Sequence, residues 1–551
     1  MRYDPRARHL IFAILGAALL VATACQQQAA PGASPTAAPT SAPTTAVSAE
    51  PKTLVFGTAT ASAGGCDGTQ LVQYAITLSC PGATQESFVQ FDWATNSVKP
   101  ALAASWTEAP DAITFKLRPN VKFHDGTPFN ADAAVFNLRR VFDKTFAANQ
   151  GLTFPYAFYV PFKSVEKVDD MTVKVNINPT PNAIWTFSFL ATMMQSPTAV
   201  QAKGKDYAFS PVGTGPYKLV SYQDKTRVEL TRNADHWGSK TGPDRIIILI
   251  KSDVVALAND LLSGNIDVMI EPPVEQVDQM KSAGLTVQYF PTLVYNYFGL
   301  NTTKPPFNDA AVRQAANYAF DKEALVKVSK GAAGALYSAW FEGAYAYNAD
   351  VPPYKYDADK ARQLLDQAGW KLPSGGKIRE KGGQQLVVKF LDRTGRTGVQ
   401  GAQVPIMISN LQDVGFKVES ELVESAAYLD KATGVGDKNR FNIANFGHGS
   451  AFPDPQIALQ RWTTANIPPA EFNVAFYSSP TYDKLVKDAS TELNADKRVS
   501  LLKQAQKVLR DDAPIIWTSR SLIGMAWTAK KVEAIPLLPT SVVDIFAIKM
   551  K

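Results

Sequence analysis

Apolar residues change their spacing several times along the chain, and each change predicts an element. The apolar run Thr53-Leu-Val-Phe-Gly57 predicts a strand. Ile113, Phe115 and Leu117 alternate with polar residues. Val121 and Phe123 alternate again after Pro119-Asn120, so the spacing predicts a hairpin with one buried face. Asp125-Gly126 is the next turn, and Asn130-Ala131-Asp132 then caps a helix bearing Val135, Leu138 and Phe142 on one side. The second half reads as helices at 3.6-residue spacing. Asn308 precedes Val312, Ala315, Ala316, Ala319 and Phe320, with Gly331 closing that segment. Asp357 precedes Ala361, Leu364, Leu365 and Ala368, and Gly369 stops the helix. Ser479-Pro480 opens a helix carrying Tyr482, Leu485, Val486 and Ala489; Asn494 opens another through Val499, Leu502, Ala505, Val508 and Leu509 that ends before Pro514. The strand-like runs Leu386–Phe390 and Phe416–Glu419 lie between these helices. The chain is α/β, with no fixed-period repeat.

Size and charge narrow the classes. The chain has 551 residues, and at roughly 100–200 residues per domain it holds two to four. A 46% apolar and 19% charged composition suits a globular core. The formal charge is +6. Arg2, Arg6 and Arg8 against Asp4 supply +2 of it, which leaves about +4 spread over the rest. That is too diffuse for a nucleic-acid footprint, so no nucleic-acid partner is expected.

The N-terminus reads as an address. Residues 1–9 carry the charges, and Leu10–Ala24 is an apolar run that ends at Cys25. At about 1.5 Å per residue it falls short of a bilayer core, which favours a cleaved signal peptide, residues 1–24, over a spanning helix. Val21-Ala-Thr-Ala-Cys25 resembles a lipobox, with Ala22 where Leu is usual, and this implies a lipid on Cys25. In 25–50 the residues after Cys25 are almost all Gln, Ala, Pro, Ser and Thr with Val47 the single large apolar residue, a disordered tether composition. The expected place is the extracytoplasmic face of the cell membrane. Cys66 and Cys80 are either a disulfide or two buried thiols; the exported compartment favours the disulfide.

Several blocks resemble the family 5 extracellular solute-binding proteins, the peptide/nickel/opine group of ABC-importer receptors. They are Leu102–Trp106, Phe115–Phe129 with Lys122-Phe-His-Asp-Gly126 inside it, Gly213-Thr-Gly-Pro-Tyr217, and Arg232-Asn-Ala-Asp-His-Trp237. Leu300–Phe307, Val312–Asp321, Tyr356–Gly369 and Pro453-Asp-Pro455 follow in family order. The resemblance implies a periplasmic-binding-protein-like α/β fold, two lobes closing about a hinge plus an extra inserted domain (cluster C type). Lobe I would comprise 51–89, 213–301 and 518–551, the inserted domain 90–212, and lobe II 302–517. It implies a monomeric receptor that hands a small-molecule solute to permease subunits, with no cofactor and no catalysis.

The resemblance also bears on the solute. Peptide-binding members carry a segment like Gly-Trp-x-Ala-Asp-Tyr-x-Asp-Pro, whose first Asp pairs with the peptide's amino group. Here the stretch reads Gly447-His-Gly-Ser-Ala-Phe-Pro-Asp-Pro455, with His448 at the Trp and Ala451 at the Asp. Alanine cannot pair with an ammonium, and a buried unpaired charge is costly. An oligosaccharide or opine-like acid is therefore expected rather than an ordinary peptide. His448, Ser450, Ala451 and Phe452 are candidate contacts. Arg393, with Arg396 as its competitor, stands where dipeptide-binding relatives hold the ligand carboxylate. Tyr295 and Tyr297 alternate with Asn296 and Phe298, and Trp340 is a stacking platform or core. The histidines are His9, His124, His236 and His448; no Cys/His cluster supports a metal site, and a metal chelate ranks below an organic solute.

A hydrolase is the rival from another class, since Ser450 follows His448-Gly449. The nucleophile elbow needs Gly two places before and after the serine, and His448 and Phe452 stand there instead. Gly213-Thr-Gly215 lacks the third glycine of a dinucleotide loop.

Overall fold

The computed structural model describes residues 51–59, 66, 80–92, 97–109, 111–149, 162–177, 189–190, 192–238, 242–396, 398–434, 440–449, 454–535, 537–538, 542–543 and 548–551. The signal, the Cys25 anchor and the tether lie outside these residues. An 11-stranded mixed sheet runs through the molecule. Along it lie Lys417–Val423, Val387–Arg393, Ile443–Gly449, Leu285–Leu300, Ile515–Thr528, Val268–Ile270, Thr53–Thr58, Arg245–Ile250, Arg227–Arg232 and Tyr217–Gln223, with Ala333–Ala335 beside Ile515–Thr528.

Each end of this sheet contains parallel pairs. Val387–Arg393 is parallel to both Lys417–Val423 and Ile443–Gly449, and Thr53–Thr58 is parallel to both Arg245–Ile250 and Val268–Ile270. Parallel strands need crossovers, here the helices Gly398–Asp413, Ser425–Thr433 and Val254–Ser263. The middle is antiparallel and built from the two longest strands, Leu285–Leu300 and Ile515–Thr528. Leu285–Pro291 pairs Thr528–Leu522 and Tyr295–Gly299 pairs Arg520–Ile515, with the register broken between Pro291 and Tyr295. Below the break the second strand continues to Val268–Ile270; above it the first continues to Ile443–Gly449. Two mixed halves, each containing parallel pairs, are thus joined by two long strands whose ladder loses register between Pro291 and Tyr295 and again between Asn296 and Tyr297.

A separate four-stranded antiparallel sheet, in the order Ala103–Ala109, Ala112–Leu117, Thr172–Ile177, Phe162–Asp169, packs on the helix Ala131–Phe142. Phe88, Phe115, Phe129, Leu138 and Phe189 fill its core, with Phe115 centroids 4.8 Å from both Phe88 and Phe189. The alternation of Ile113, Phe115 and Leu117 does make a strand with one buried face. Its partners, however, are Ala103–Ala109 and Thr172–Ile177, not the Val121–Phe123 segment. Asn120 takes φ 60°, and the chain makes a tight bridge between Lys122 and Pro128 instead.

Local caps follow the sequence closely. Asn130, Asp357, Ser479 and Asn494 each accept a backbone N–H at the start of a helix. Over 308–331 the cap is Asp309 rather than Asn308, and the segment splits into Ala310–Ala319 and Lys322–Val328 because Asp321 starts a second helix.

The blocks shared with the family dock segments together. His124 Nε2 lies 2.9 Å from Gly215 O, and Glu86 accepts from Thr214 Oγ1 and Trp237 Nε1, each at 2.9 Å. A Cβ at Gly213 would lie 2.0 Å from Thr84 O, and one at Gly215 2.4 Å from Ala83 O, so only glycine lets these backbones meet. Among the described residues no helix is long and apolar enough to cross a membrane.

Cys66 and Cys80 are joined, their Cα atoms 5.2 Å apart, and both are buried beside Ala83 and Tyr217. Closing so short a loop is worth about 3 kcal/mol through the unfolded state. Cys66→Ser should therefore lower unfolding stability by about 2–4 kcal/mol, measured by guanidinium titration. Adding reductant to the wild type should reproduce the loss and leave the variant unmoved.

Candidate functional site

The pairing of the long strands brings together one row of side chains. Tyr295 is paired with Arg520 on one side and His448 on the other. Directly opposed residues of neighbouring strands project from the same face, so Arg520, Tyr295 and His448 form a line across three strands. One step along, Tyr297 is paired with Trp517 and Phe446. The rings meet accordingly. Tyr297 stacks on Phe446 at 6.1 Å, Trp462 stands edge-on to Tyr297 at 5.1 Å, and Tyr295 stands edge-on to Trp517 at 5.6 Å. Phe341 lies 6.3 Å from Tyr295 and carries the Arg520 guanidinium 4.2 Å above its centroid.

The opposite face of the same strands is polar and fully engaged. Asn296 donates to Ser519 Oγ and Ser521 Oγ, each at 3.1 Å, and accepts from Gln400 Nε2 at 3.1 Å. Arg396 donates to Asp392, Gln400 Oε1 and Asn445 O. Gln403 links Asn445 Oδ1 and Thr518 Oγ1, each at 2.6 Å. A Cβ at Gly447 would lie 2.0 Å from Gln400 Nε2 and 2.6 Å from Asn296 Oδ1, so glycine lets this network reach the strand. Arg396 is therefore held inside the fold, its guanidinium 6% and its Asp392 partner 4% exposed.

Arg393, its neighbour in sequence, sits at the end of Val387–Arg393 and donates to Ser425 Oγ at 2.9 Å. Among the described residues it makes no contact with the Tyr295 row. Trp340 is buried beside Phe341, and its indole N–H donates to Tyr345 O at 2.9 Å. Tyr295 and Tyr297 are each 1% exposed. Ser450, Ala451 and Phe452 lie outside the described residues. The next carboxylate, Asp454, is already committed: it caps Pro455–Gln460 and pairs both oxygens with Arg498 at 2.8 and 2.9 Å. Among the described residues no group of three or more His, Cys, Asp and Glu could hold a metal ion. A cavity of about 10 Å³ behind Trp517, lined by Tyr337, Asn348 and Tyr354, has room for at most one water.

Two arginines were not anticipated from sequence. Arg461 follows the Pro455–Gln460 helix and donates through Nη2 to His448 Nε2. Arginine has no acceptor, so His448 Nε2 is unprotonated and the ring proton sits on Nδ1. Arg461 Nε is buried without a hydrogen-bond partner, as is Trp462 Nε1. Arg520 Nε donates to Thr292 O inside the register break. Neither arginine has a carboxylate partner among the described residues. Burial pulls the Arg520 guanidinium down to about 10. The available signal for Arg520 was a single charge within Ile515–Thr528, a strand otherwise without one.

His448 gives the site a pH signature. Burial, with Arg461 beside it, lowers its pKa from 6.5 to about 3, and burial lowers that of His124 to about 4. The folded rings stay neutral while unfolded ones take up protons below about pH 6.5. Their stabilisation is thus full above that pH and is lost as pH falls towards 4 for His124 and 3 for His448. Urea midpoints should drop on acidification from pH 6.5 to 4, and His448→Gln should flatten that drop. An unchanged slope in the variant would contradict a neutral buried His448.

Comparison with known proteins agrees with this architecture. The model of bacterial extracellular solute-binding proteins, family 5, matches residues 97–469, more than half of the chain. Heme-binding protein A of Haemophilus influenzae is 29% identical over 549 residues, covering 94% of this chain and 95% of that protein. Glutathione-binding protein GsiB of Pectobacterium atrosepticum is 29% identical over 447 residues, covering 80% and 83%. The solved structure of HbpA2 from Haemophilus parasuis superposes with a TM-score of 0.79 at 26% identity, covering 91% of this chain and all of that one. The relatives are binding proteins rather than enzymes. The chain belongs to the family 5 bacterial extracellular solute-binding proteins, receptors that serve ABC importers, and it has their periplasmic-binding-protein-like fold.

Proposed function

We propose that this chain is the lipid-anchored, extracytoplasmic receptor of an ABC importer, and that it captures one small organic solute between two closing lobes and delivers it unchanged. The observation that supports the reading is the register break between Pro291 and Tyr295, with aromatic and polar side chains gathered beside it on three strands. Two halves that rotate there would cover a solute from both sides, and closure gives a permease a way to tell loaded from empty receptor. The domain division then follows the sequence expectation: lobe I from 51–89, 213–301 and 518–551, an inserted domain at 90–212, and lobe II at 302–517. The protein acts as a monomer held to the membrane through Cys25, with the Cys66–Cys80 bridge formed after export.

An ordinary peptide is disfavoured as cargo. Ala451 replaces the amine-pairing carboxylate, and Asp454 is occupied by Arg498. An oligosaccharide or opine-like acid fits better. Glutathione, in the name of one relative, is likewise a small organic acid, and haem, in the name of another, is an organic acid that chelates iron. A metal chelate is the second reading; it rests on the place of His448 in the same row, although its Nε2 already accepts from Arg461.

Full-length protein in detergent, screened by thermal shift against dipeptides, oligosaccharides, opine-like acids, haemin, glutathione and metal chelates, should be stabilised by one class. Bound solute should be recovered by mass spectrometry intact at about one per chain. Turnover at catalytic protein concentration would refute the receptor role, and strong stabilisation by unmodified dipeptides would refute the cargo assignment. Cys25→Ser should move the protein from the membrane to the soluble fraction.

A further inference from the structure

We infer that Arg520 and Arg461 form a two-pronged anion site at the ends of the Tyr295 row, and that the solute is an organic acid whose carboxylate they hold. The inference rests on the receptor reading and narrows its cargo. Its first support is position. Arg520 and His448 are the two cross-strand partners of Tyr295, and Arg461 reaches the far end of that row through His448. The three therefore flank one aromatic floor made by Tyr295, Phe341 and Trp517.

The second support is charge balance. Three well-buried arginines in this fold have a carboxylate, Arg396 with Asp392, Arg498 with Asp454 and Arg379 with Asp366, while the buried Arg313 is held by two backbone carbonyls, Asp512 O and Phe307 O. Arg520 and Arg461 have no ion pair among the described residues. A half-buried cation without a counter-charge is costly, and the fold retains two of them near one another. The lowered pKa of Arg520 has burial as its cause and no neighbouring carboxylate opposing it.

The third support is the donors left over. Among the described residues Arg520 commits Nε, to Thr292 O, and neither terminal nitrogen, which leaves both for a ligand in the fork geometry that suits a carboxylate. Arg461 commits Nη2 to a neutral imidazole, which supplies no charge. A neutral sugar would leave both cations uncompensated, and an amine would be repelled by them. The site selects an anion.

The test compares organic acids with their methyl esters on the wild-type full chain, using glutathione, haemin, octopine and a set of aromatic and aliphatic mono- and dicarboxylates. Neutral oligosaccharides run alongside. The expected hits are acids whose esters bind about thirtyfold or more weaker. Arg520→Gln and Arg461→Gln should each cost a similar factor, Arg520→Lys less, and the exposed Arg362→Gln nothing. Circular dichroism and urea midpoints establish that the variants are folded. The inference is overturned if esters bind like acids, if a neutral solute is the tight binder, or if folded Arg520→Gln and Arg461→Gln bind the acid as the wild type does. Those results leave the receptor reading standing. Absence of any binder across acids, sugars, peptides and chelates counts against both.

Discussion

Two strands, Leu285–Leu300 and Ile515–Thr528, hydrogen-bond to each other along most of their length but to different neighbours at their two ends. Everything else in the large sheet is attached through them. Each half contains parallel strands connected by crossover helices that cover its faces. Such halves cannot merge into one flat sheet, because twist accumulates across strands. The ladder accommodates this by losing register at Thr292–Val294, where Thr292 Oγ1 bonds Ser521 O at 2.7 Å and receives the Val294 N–H at 3.0 Å. The break is thus hydrogen-bonded rather than frayed, and it can bend without leaving backbone groups unsatisfied.

The two faces of this ladder are handled in opposite ways. Behind it, Asn296, Gln400, Arg396, Asp392, Asn445, Gln403 and Thr518 satisfy one another in a closed network. A buried network of that kind stabilises little on its own, but deleting one member exposes the rest to a desolvation cost of about 1–3 kcal/mol per orphaned group. It fixes the position of Gly398–Asp413 against the strands. In front, the same strands present Arg520, whose terminal nitrogens have no partner among the described residues, in line with Tyr295 and His448. Stability is concentrated on one face and unsatisfied charge on the other, the division expected where binding rather than folding sets the chemistry.

Local chemistry was legible in the sequence; pairing was not. Asp357, Ser479-Pro480 and Asn494 announce helices because a cap acts within three residues of itself. The ordered blocks around Lys122–Gly126 and Gly213–Tyr217 identify the family, and their meeting at His124 and Gly215 explains why those residues are used. The strand at Ala112–Leu117 was evident, yet its partner Thr172–Ile177 lies some sixty positions on, beyond any local signal. Tyr295, Tyr297 and His448 were readable as a site and do converge. Arg520 and Arg461 were not, since a lone arginine in a strand or after a helix carries no mark of missing its carboxylate until the whole fold is assembled. Arg393 and Arg396 show the converse: similar in sequence, one is tied to Ser425 and the other locked to Asp392.

The bond from Arg520 Nε to Thr292 O has a mechanical meaning. It fastens a side chain in the candidate site to the carbonyl at the point where the ladder loses register. On the proposed reading, a molecule gripping the other two nitrogens of that guanidinium would pull on the register break itself, not on a distant part of either half. Occupancy and angle then share one coordinate, and a small displacement at Thr292 is magnified at the outer edges of the sheet in proportion to their lever arm. A receptor wired this way would report not merely that something is present but that the thing present carries a group able to hold the latch.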